Sequence, residues 1–213
     1  MPSQVDIANM ALSYVGNSVR ISGLNENSPA ADQCELWMDH SKDTILRAYD
    51  WTFATKRISL TAASISGAQA DLFQTNFTER YSYPSDALKI QYITTEGGDR
   101  RTSYPFTVEN HPSSPNTRII LSNINDAIAV YTYEYTNYQT LPPHFVQPLA
   151  ILLAANVAYV ITGKMELAAS LNNLYFQTFQ AFTAQDANES NPVTPAEAEW
   201  IQVREGSIQT RGS

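Results

Sequence analysis

Asp50-Trp51-Thr52-Phe53-Ala54-Thr55-Lys56-Arg57 is the stretch on which the reading of this chain turns. Before it, apolar residues recur at helical spacing. From Trp51 to Leu141 they mostly alternate, with Gly, Pro, Asn and Asp as punctuation. The change of period marks the passage from a helical region to a strand region.

Working back from Trp51, Ser28 and Pro29 suit the cap and first position of a helix running to about Tyr49. Ala30, Cys34, Trp37, Ser41, Ile45 and Ala48 form its expected inward stripe. A polar loop over 17–29 precedes it. Before that loop, Ser3 can cap and Gly16 can end a first helix with Val5, Ala8, Leu12 and Val15 on one face.

Working forward, Leu88, Ile90 and Tyr92 alternate with Lys89 and Gln91. Ala127, Ala129, Tyr131, Tyr133 and Tyr135 alternate with Ile128, Val130, Thr132 and Glu134. Arg118-Ile119-Ile120-Leu121 is a shorter strand, and Gly97-Gly98-Asp99 and Ser113-Ser114-Pro115-Asn116 are turn signals. A small antiparallel sheet, as a sandwich or half-barrel, follows.

Helical spacing returns after Pro142-Pro143, with Val146, Leu149, Leu153, Asn156 and Val160 as one stripe and Gly163 as the stop. A last helix spans about Met165 to Ala187, with Leu167, Leu171, Leu174, Thr178 and Phe182 inward. The short link makes these two helices antiparallel neighbours. Pro192 and Pro195 then break the pattern.

The expected fold is α+β. Two N-terminal and two C-terminal helices form a four-helix bundle, with an antiparallel β-rich insertion between them and an extended C-terminal tail. The parts are 1–57 and 142–190 for the bundle halves, 58–141 for the insertion and 191–213 for the tail.

Composition narrows the function. The 213 residues are 43% hydrophobic and 16% charged, enough for a sizeable core and too apolar for wholesale disorder. Thirteen Lys+Arg against 21 Asp+Glu leave a net charge of −8, a poor basis for gripping phosphates. The single Cys34 excludes an internal disulfide and a cysteine-cluster zinc site. Met1-Pro2-Ser3-Gln4 lacks the basic start of a signal peptide. The apolar stretch from Pro148 to Ile161 falls short of the roughly 18–20 residues that span a bilayer. The expectation is folding in a reducing cytoplasm.

Chemistry-bearing motifs are sparse. The three histidines, His40, His111 and His144, form no helical metal-binding pair. Cys34 and His40, six apart on one helix, do not face each other, and a buried Cys34 with a surface His40 is the plainer reading. Gly97-Gly98-Asp99-Arg100-Arg101 reads as a hairpin tip more than an anion grip. Glu79, Asp86, Asp126 and Glu134 lie on or near strands, so any two are a conceivable glycosidase pair. The chain has 12 tyrosines, and Tyr131, Tyr133 and Tyr135 suit either cross-strand packing or a subunit interface. Ala150, Ala154, Ala155 and Ala158 permit close approach inside the bundle or between subunits. Trp200, Ile201, Val203 and Ile208 in the tail need a surface to dock on, within the chain or on a partner.

Several runs resemble one family. Ile7-Ala8-Asn9-Met10-Ala11-Leu12-Ser13-Tyr14-Val15-Gly16, then Ala30-Ala31-x-x-Cys34, then Asp43-x-x-Leu46 leading into Asp50-Trp51-Thr52-Phe53-Ala54, look like its opening helices. Tyr83-Pro84-Ser85-Asp86-Ala87-Leu88-Lys89 resembles its Tyr-x-x-Pro-x-Asp-x-Leu segment. The stretch from Pro148 to Gly163 resembles its third helix. The family is the tail tubular protein A family of short-tailed bacteriophages, the head-to-tail adaptors or head-completion proteins. The resemblance covers about residues 4–190 and is most specific near Trp51 and Pro84. Its motif positions here are Leu12, Gly16, Cys34, Trp51, Phe53, Ala54, Pro84 and Asp86, and they are structural.

The resemblance implies a virion part with no catalytic role and no cofactor or metal. Such adaptors assemble as a homo-oligomeric ring, typically of twelve copies, beneath the portal protein. The ring extends the DNA channel and carries the nozzle or next tail protein. DNA passes through without sequence-specific binding, and no membrane is involved. Assembly takes place in the host cytoplasm. By position alone, residues 191–213 would be the portal-docking segment, with Trp200, Ile201, Val203 and Ile208 as anchors. Two other readings stay open: a virion-associated lytic glycosidase using the strand carboxylates, and a protein-binding module that forms no ring.

Overall fold

A computed structural model describes residues 2–17, 20–63, 77–111 and 114–189. Among them are four helices and two small antiparallel sheets.

The helix ends are set locally. Helix α1 (Gln4–Val15) begins with a capping box: the Asp6 amide donates to Ser3 Oγ at 3.2 Å, and the Ser3 amide donates to the Asp6 carboxylate at 2.8 Å. Gly16 ends it in the left-handed region, φ +84°. Helix α2 (Pro29–Ala48) starts at Ser28, whose Oγ accepts from the Ala31 amide at 3.3 Å. Helices α3 (Pro143–Thr162) and α4 (Met165–Glu189) are joined through Gly163, φ +70°.

Helix α3 organises the others. It carries no charged residue, and its buried side chains surround it, from Phe145 and Val146 through Leu149, Ile151, Leu153 and Val157. A helix apolar on every side is stable in water only when neighbours cover it. Helices α1, α2 and α4 all pack on α3, whereas α1 and α2 barely touch each other. By length and composition α3 is long and apolar enough to cross a membrane, beyond what the Pro148–Ile161 stretch suggested, with mean hydropathy 1.8 and 56% of that window buried within the chain.

Two stripes differ from expectation. On α2, Cys34, Ser41 and Ile45 of the expected stripe are buried, joined by Ala31, Met38, Lys42 and Leu46, whereas Ala30 and Trp37 are only half-buried against the same core and Ala48 is exposed. The small Ala31 lets the helices approach, while bulky Trp37 sits at the rim, edge-on to His40 with ring centroids 5.4 Å apart. On α4, Leu171, Tyr175 and Asp186 face inward with Phe179 half-buried, and Leu174 is exposed. The rings of Tyr175 and Phe179, tilted to each other with centroids 5.6 Å apart, lie against the core, and Leu174, adjacent to Tyr175, turns outward. On α3, Val160 is exposed and Asn156 donates across to Ser41 Oγ of α2 at 3.0 Å.

The strands fold into a flattened barrel. In one sheet β1 (Thr55–Ser59), β6 (Ile128–Tyr133) and β3 (Ala87–Thr94) lie in the order β1-β6-β3. In the other, β2 (Glu79–Ser82), β5 (Ser114–Ser122) and β4 (Phe106–His111) lie in the order β2-β5-β4. A bridge from Ala62, beyond the end of β1, to Tyr81 of β2 links the sheets at one corner, and a bridge from Ile93 of β3 to Tyr104, before the start of β4, links them at the other. Ile90, Ile93, Ala129 and Tyr131 meet Tyr81 and Ile120 between the sheets.

Strand β3 does not keep the simple alternation of Leu88, Ile90 and Tyr92. Register shifts between Ala87 and Lys89 and between Ile90 and Tyr92 insert extra residues, so Ala87, Ile90 and Ile93 face the barrel interior. Leu88 is thereby turned onto the helical core.

Candidate functional site

The Asp50–Phe53 run is where the helices meet the barrel. Trp51 has no exposed surface, and its indole N–H donates to the Ile45 carbonyl at 2.9 Å. Phe145 packs edge-on to it at 5.2 Å, and Phe53, His144 and Phe179 lie at 6.0 Å. One side chain thus touches α2, α3 and α4 together.

The residues beside it bind outward in both directions. The Thr52 amide and hydroxyl donate to the Asp186 carboxylate at 3.0 and 2.9 Å. His144 Nε2 lies 3.3 Å from the same carboxylate, which is fully buried on α4. On the other side, Asp50 pairs with Lys89 at 2.6 Å and with Arg100, both from the barrel region. Burial alone would raise the Asp50 carboxyl, but Lys89 and Arg100 outweigh it and hold it below its usual range.

The tyrosines form a chain of contacts from barrel to helices. Tyr131 is buried between the sheets and donates to Asp86 at 3.0 Å. Burial, with Asp86 adding to it, pushes the Tyr131 phenol up to about 12. Lys56 pairs with Asp86 at 2.9 Å and lies 3.8 Å over the Tyr133 ring. Tyr133 stands 5.3 Å from Tyr135, which packs edge-on to Phe53 at 5.4 Å. Tyr131 therefore offers no surface to a neighbour, while Tyr133 and Tyr135 keep partial exposure.

The remaining motif positions fall within the two cores or beside them. Leu12, Cys34 and Ala54 are buried in the helical core, and Gly16 closes α1. Burial pushes the Cys34 thiol up to about 11, which leaves it an unreactive thiol at neutral pH. The exposed His40 does not join it. Pro84 turns the chain into β3, its carbonyl accepting from the Ala87 amide at 3.1 Å. Ala150, Ala154 and Ala158 are buried among the helices of one chain.

The Gly97–Arg101 tip is filled by its own acid. Asp99 accepts from the amides of Arg101 and Thr102 at 2.9 and 3.2 Å, and Arg100 is engaged by Asp50. Donors that a bound anion would use are already taken. Of the four strand carboxylates, Asp86 is committed to Lys56 and Tyr131. Burial opposes them, but together they hold it low, the opposite of what a general acid requires. Among the described residues no group of three or more His, Cys, Asp or Glu is placed to hold a metal.

Among the described residues, apolar side chains reach the surface at two places. Tyr159, Val160 and Met165 are exposed around the α3–α4 turn, and Phe176 is 55% exposed further along α4. A groove of about 980 Å³ lies between α1 and the first half of α3. The expected anchors Trp200, Ile201, Val203 and Ile208 lie outside the described residues.

The Thr52–Asp186–His144 contact escapes a reading of the sequence. Its one signal is that Asp186 is the only charged residue between Glu166 and Glu189. No protein-family model matches the chain, and no curated protein matches it.

Proposed function

We propose that this chain is a structural head-to-tail adaptor of a short-tailed phage. On this reading it forms a ring under the portal, extends the DNA channel and carries the next tail component. The four helices, arranged as a bundle around α3, make the ring wall, and the barrel makes its outer or lower face. Residues 191–213 dock on the portal.

One observation carries the reading. The most specific part of the family resemblance, Asp50–Ala54, is the joint of the fold: Asp50 reaches the barrel, Trp51 the three helices and Thr52 the buried Asp186. Residues that a family would keep for architecture are here used for architecture. A net charge of −8 fits the same role, since copies set around a channel repel DNA and let it slide.

The test is mass by light scattering, on the chain alone and then with its phage's portal ring. A multi-copy complex on the portal is expected. A chain whose mass is unchanged by the portal would overturn the proposal.

A further inference from the structure

The helices and the barrel are two separately packed bodies. The helical core, around Trp51, Phe145 and Leu149, and the barrel core, around Ile93, Ile120 and Ala129, share no side chain among the described residues. Of the described strand residues, Leu88 alone reaches the helical core with an apolar side chain. Bodies that share so small an apolar contact move against each other unless something fixes them.

The chain crosses between the two bodies twice, and each crossing is anchored on the helical side. Thr52 is held by Asp186 of α4, and the Tyr138 hydroxyl donates to the Asp39 carboxylate of α2 at 2.6 Å. On the barrel side, Thr55 and Thr132 are paired in the ladder of β1 and β6. Between these anchors and the strands lie residues 53–54 and 134–137. They run side by side, with Phe53 edge-on to Tyr135 at 5.4 Å. A hinge needs a few residues at the ends of elements, and two adjacent crossings supply it with an axis.

Beside the crossings, one charged cluster ties the bodies together. Asp50, just past the end of α2, pairs with Lys89 of β3 at 2.6 Å and with Arg100, between β3 and β4. Lys89 Nζ also donates to the Arg47 carbonyl of α2 at 3.3 Å. The side chains of Asp50, Lys89 and Arg100 are 19%, 34% and 63% exposed, so water and salt reach all three. Ion pairs with this exposure are weak enough to open and close, and high ionic strength screens them.

We infer that the barrel turns as one body about the two crossings, and that Asp50, by holding Lys89 and Arg100, is the latch that sets its angle to the helices. This concerns the chain alone and does not rest on the adaptor reading. Its consequence is that one carboxylate of the helical body decides which side the barrel presents.

The experiment uses the full chain with nitroxide labels at Leu36→Cys on α2 and Asn110→Cys on β4, both exposed positions, while the buried Cys34 stays unlabelled. A control pair, Leu36→Cys with Glu166→Cys on α4, lies within the helical body. Distances are read by double electron–electron resonance. With the latch intact, both pairs are expected to give one narrow distribution. Asp50→Asn is expected to broaden the helix-to-barrel distribution about two-fold or more and to leave the control pair unchanged. Lys89→Gln combined with Arg100→Gln removes both cations at side chains that reach the solvent, and is expected to do the same even where Asp50→Asn fails to fold. Sodium chloride at about 1 M is expected to act in the same direction on the intact latch. An unchanged helix-to-barrel distribution in the Lys89→Gln, Arg100→Gln chain would overturn the inference. So would equal broadening of its control pair, because the change would then be a loosening of the helices and not a change of angle.

Discussion

A carboxylate with no exposed surface must find its partners inside the protein. Asp186 finds the Thr52 amide and hydroxyl and the His144 ring. Asp186→Asn turns one acceptor oxygen into a donor facing donors, and is expected to cost about 2–4 kcal/mol. Urea unfolding, from the midpoint and its slope, reads this, and a loss below about 0.5 kcal/mol would show the contact to be incidental. Gly98 is constrained by space: a Cβ there would stand 1.9 Å from Thr94 Oγ1 and 2.9 Å from Thr102 Oγ1. Both belong to stiff β-branched side chains, so Gly98→Ala is expected to lower stability by about 1–3 kcal/mol, measured by thermal denaturation. Acid acts through the paired carboxylates. Asp50 and Asp86 are held low by their cations against the opposing effect of burial, and Asp39 chiefly by the Tyr138 hydroxyl. A folded value below the unfolded one gives stability that is present above about pH 4 and lost as pH falls through the folded value. Asp43, raised by burial, works the other way. Asp6, Glu26 and Asp99 are also held low, by hydrogen bonds from neighbouring residues, so six against one predicts a net fall in urea midpoint below about pH 4, and Asp50→Asn is expected to make that fall shallower.

At the scale of elements, α3 carries the core because three helices lean on it. Ala150, Ala154 and Ala158 are at most 1% exposed, and their smallness sets how closely the neighbours approach. Ala154→Leu is expected to cost about 1–3 kcal/mol or more by overpacking. An unchanged melting midpoint would mean that the helices have slack there. The starts and stops of α1 and α2 are legible in the sequence because capping is a contact among neighbours: Ser3 with Asp6, Ser28 with Ala31. The strand region is legible as alternation, but β3 is not, since its register shifts depend on how β6 lies beside it. The inward face of α4 is equally hidden. Leu174 and Tyr175 are adjacent in a weakly patterned helix, and packing on α3 and on Trp51, through Phe179, decides which turns in. The joint is half legible. Trp51 stands out as an aromatic at a change of period, whereas Asp186 lies far along the chain from the Thr52 it holds.

At the scale of the whole molecule, the adaptor proposal gives the tail and the body separate roles. Removing residues 191–213 is expected to leave the helical circular dichroism unchanged, because the described cores are complete without them, and to abolish capture by the portal ring. Retained capture would assign docking to another surface, with the exposed Tyr159, Val160, Met165 and Phe176 the next to alter. The barrel's two corner bridges, Ala62 to Tyr81 and Ile93 to Tyr104, turn the outer strands of each sheet toward the other. The edge strand β1 is mostly exposed, and it carries the charged Lys56 and Arg57, which oppose pairing with a stranger's strand. A strand edge guarded by charge in this way is expected to resist pairing with a second copy when the protein is crowded.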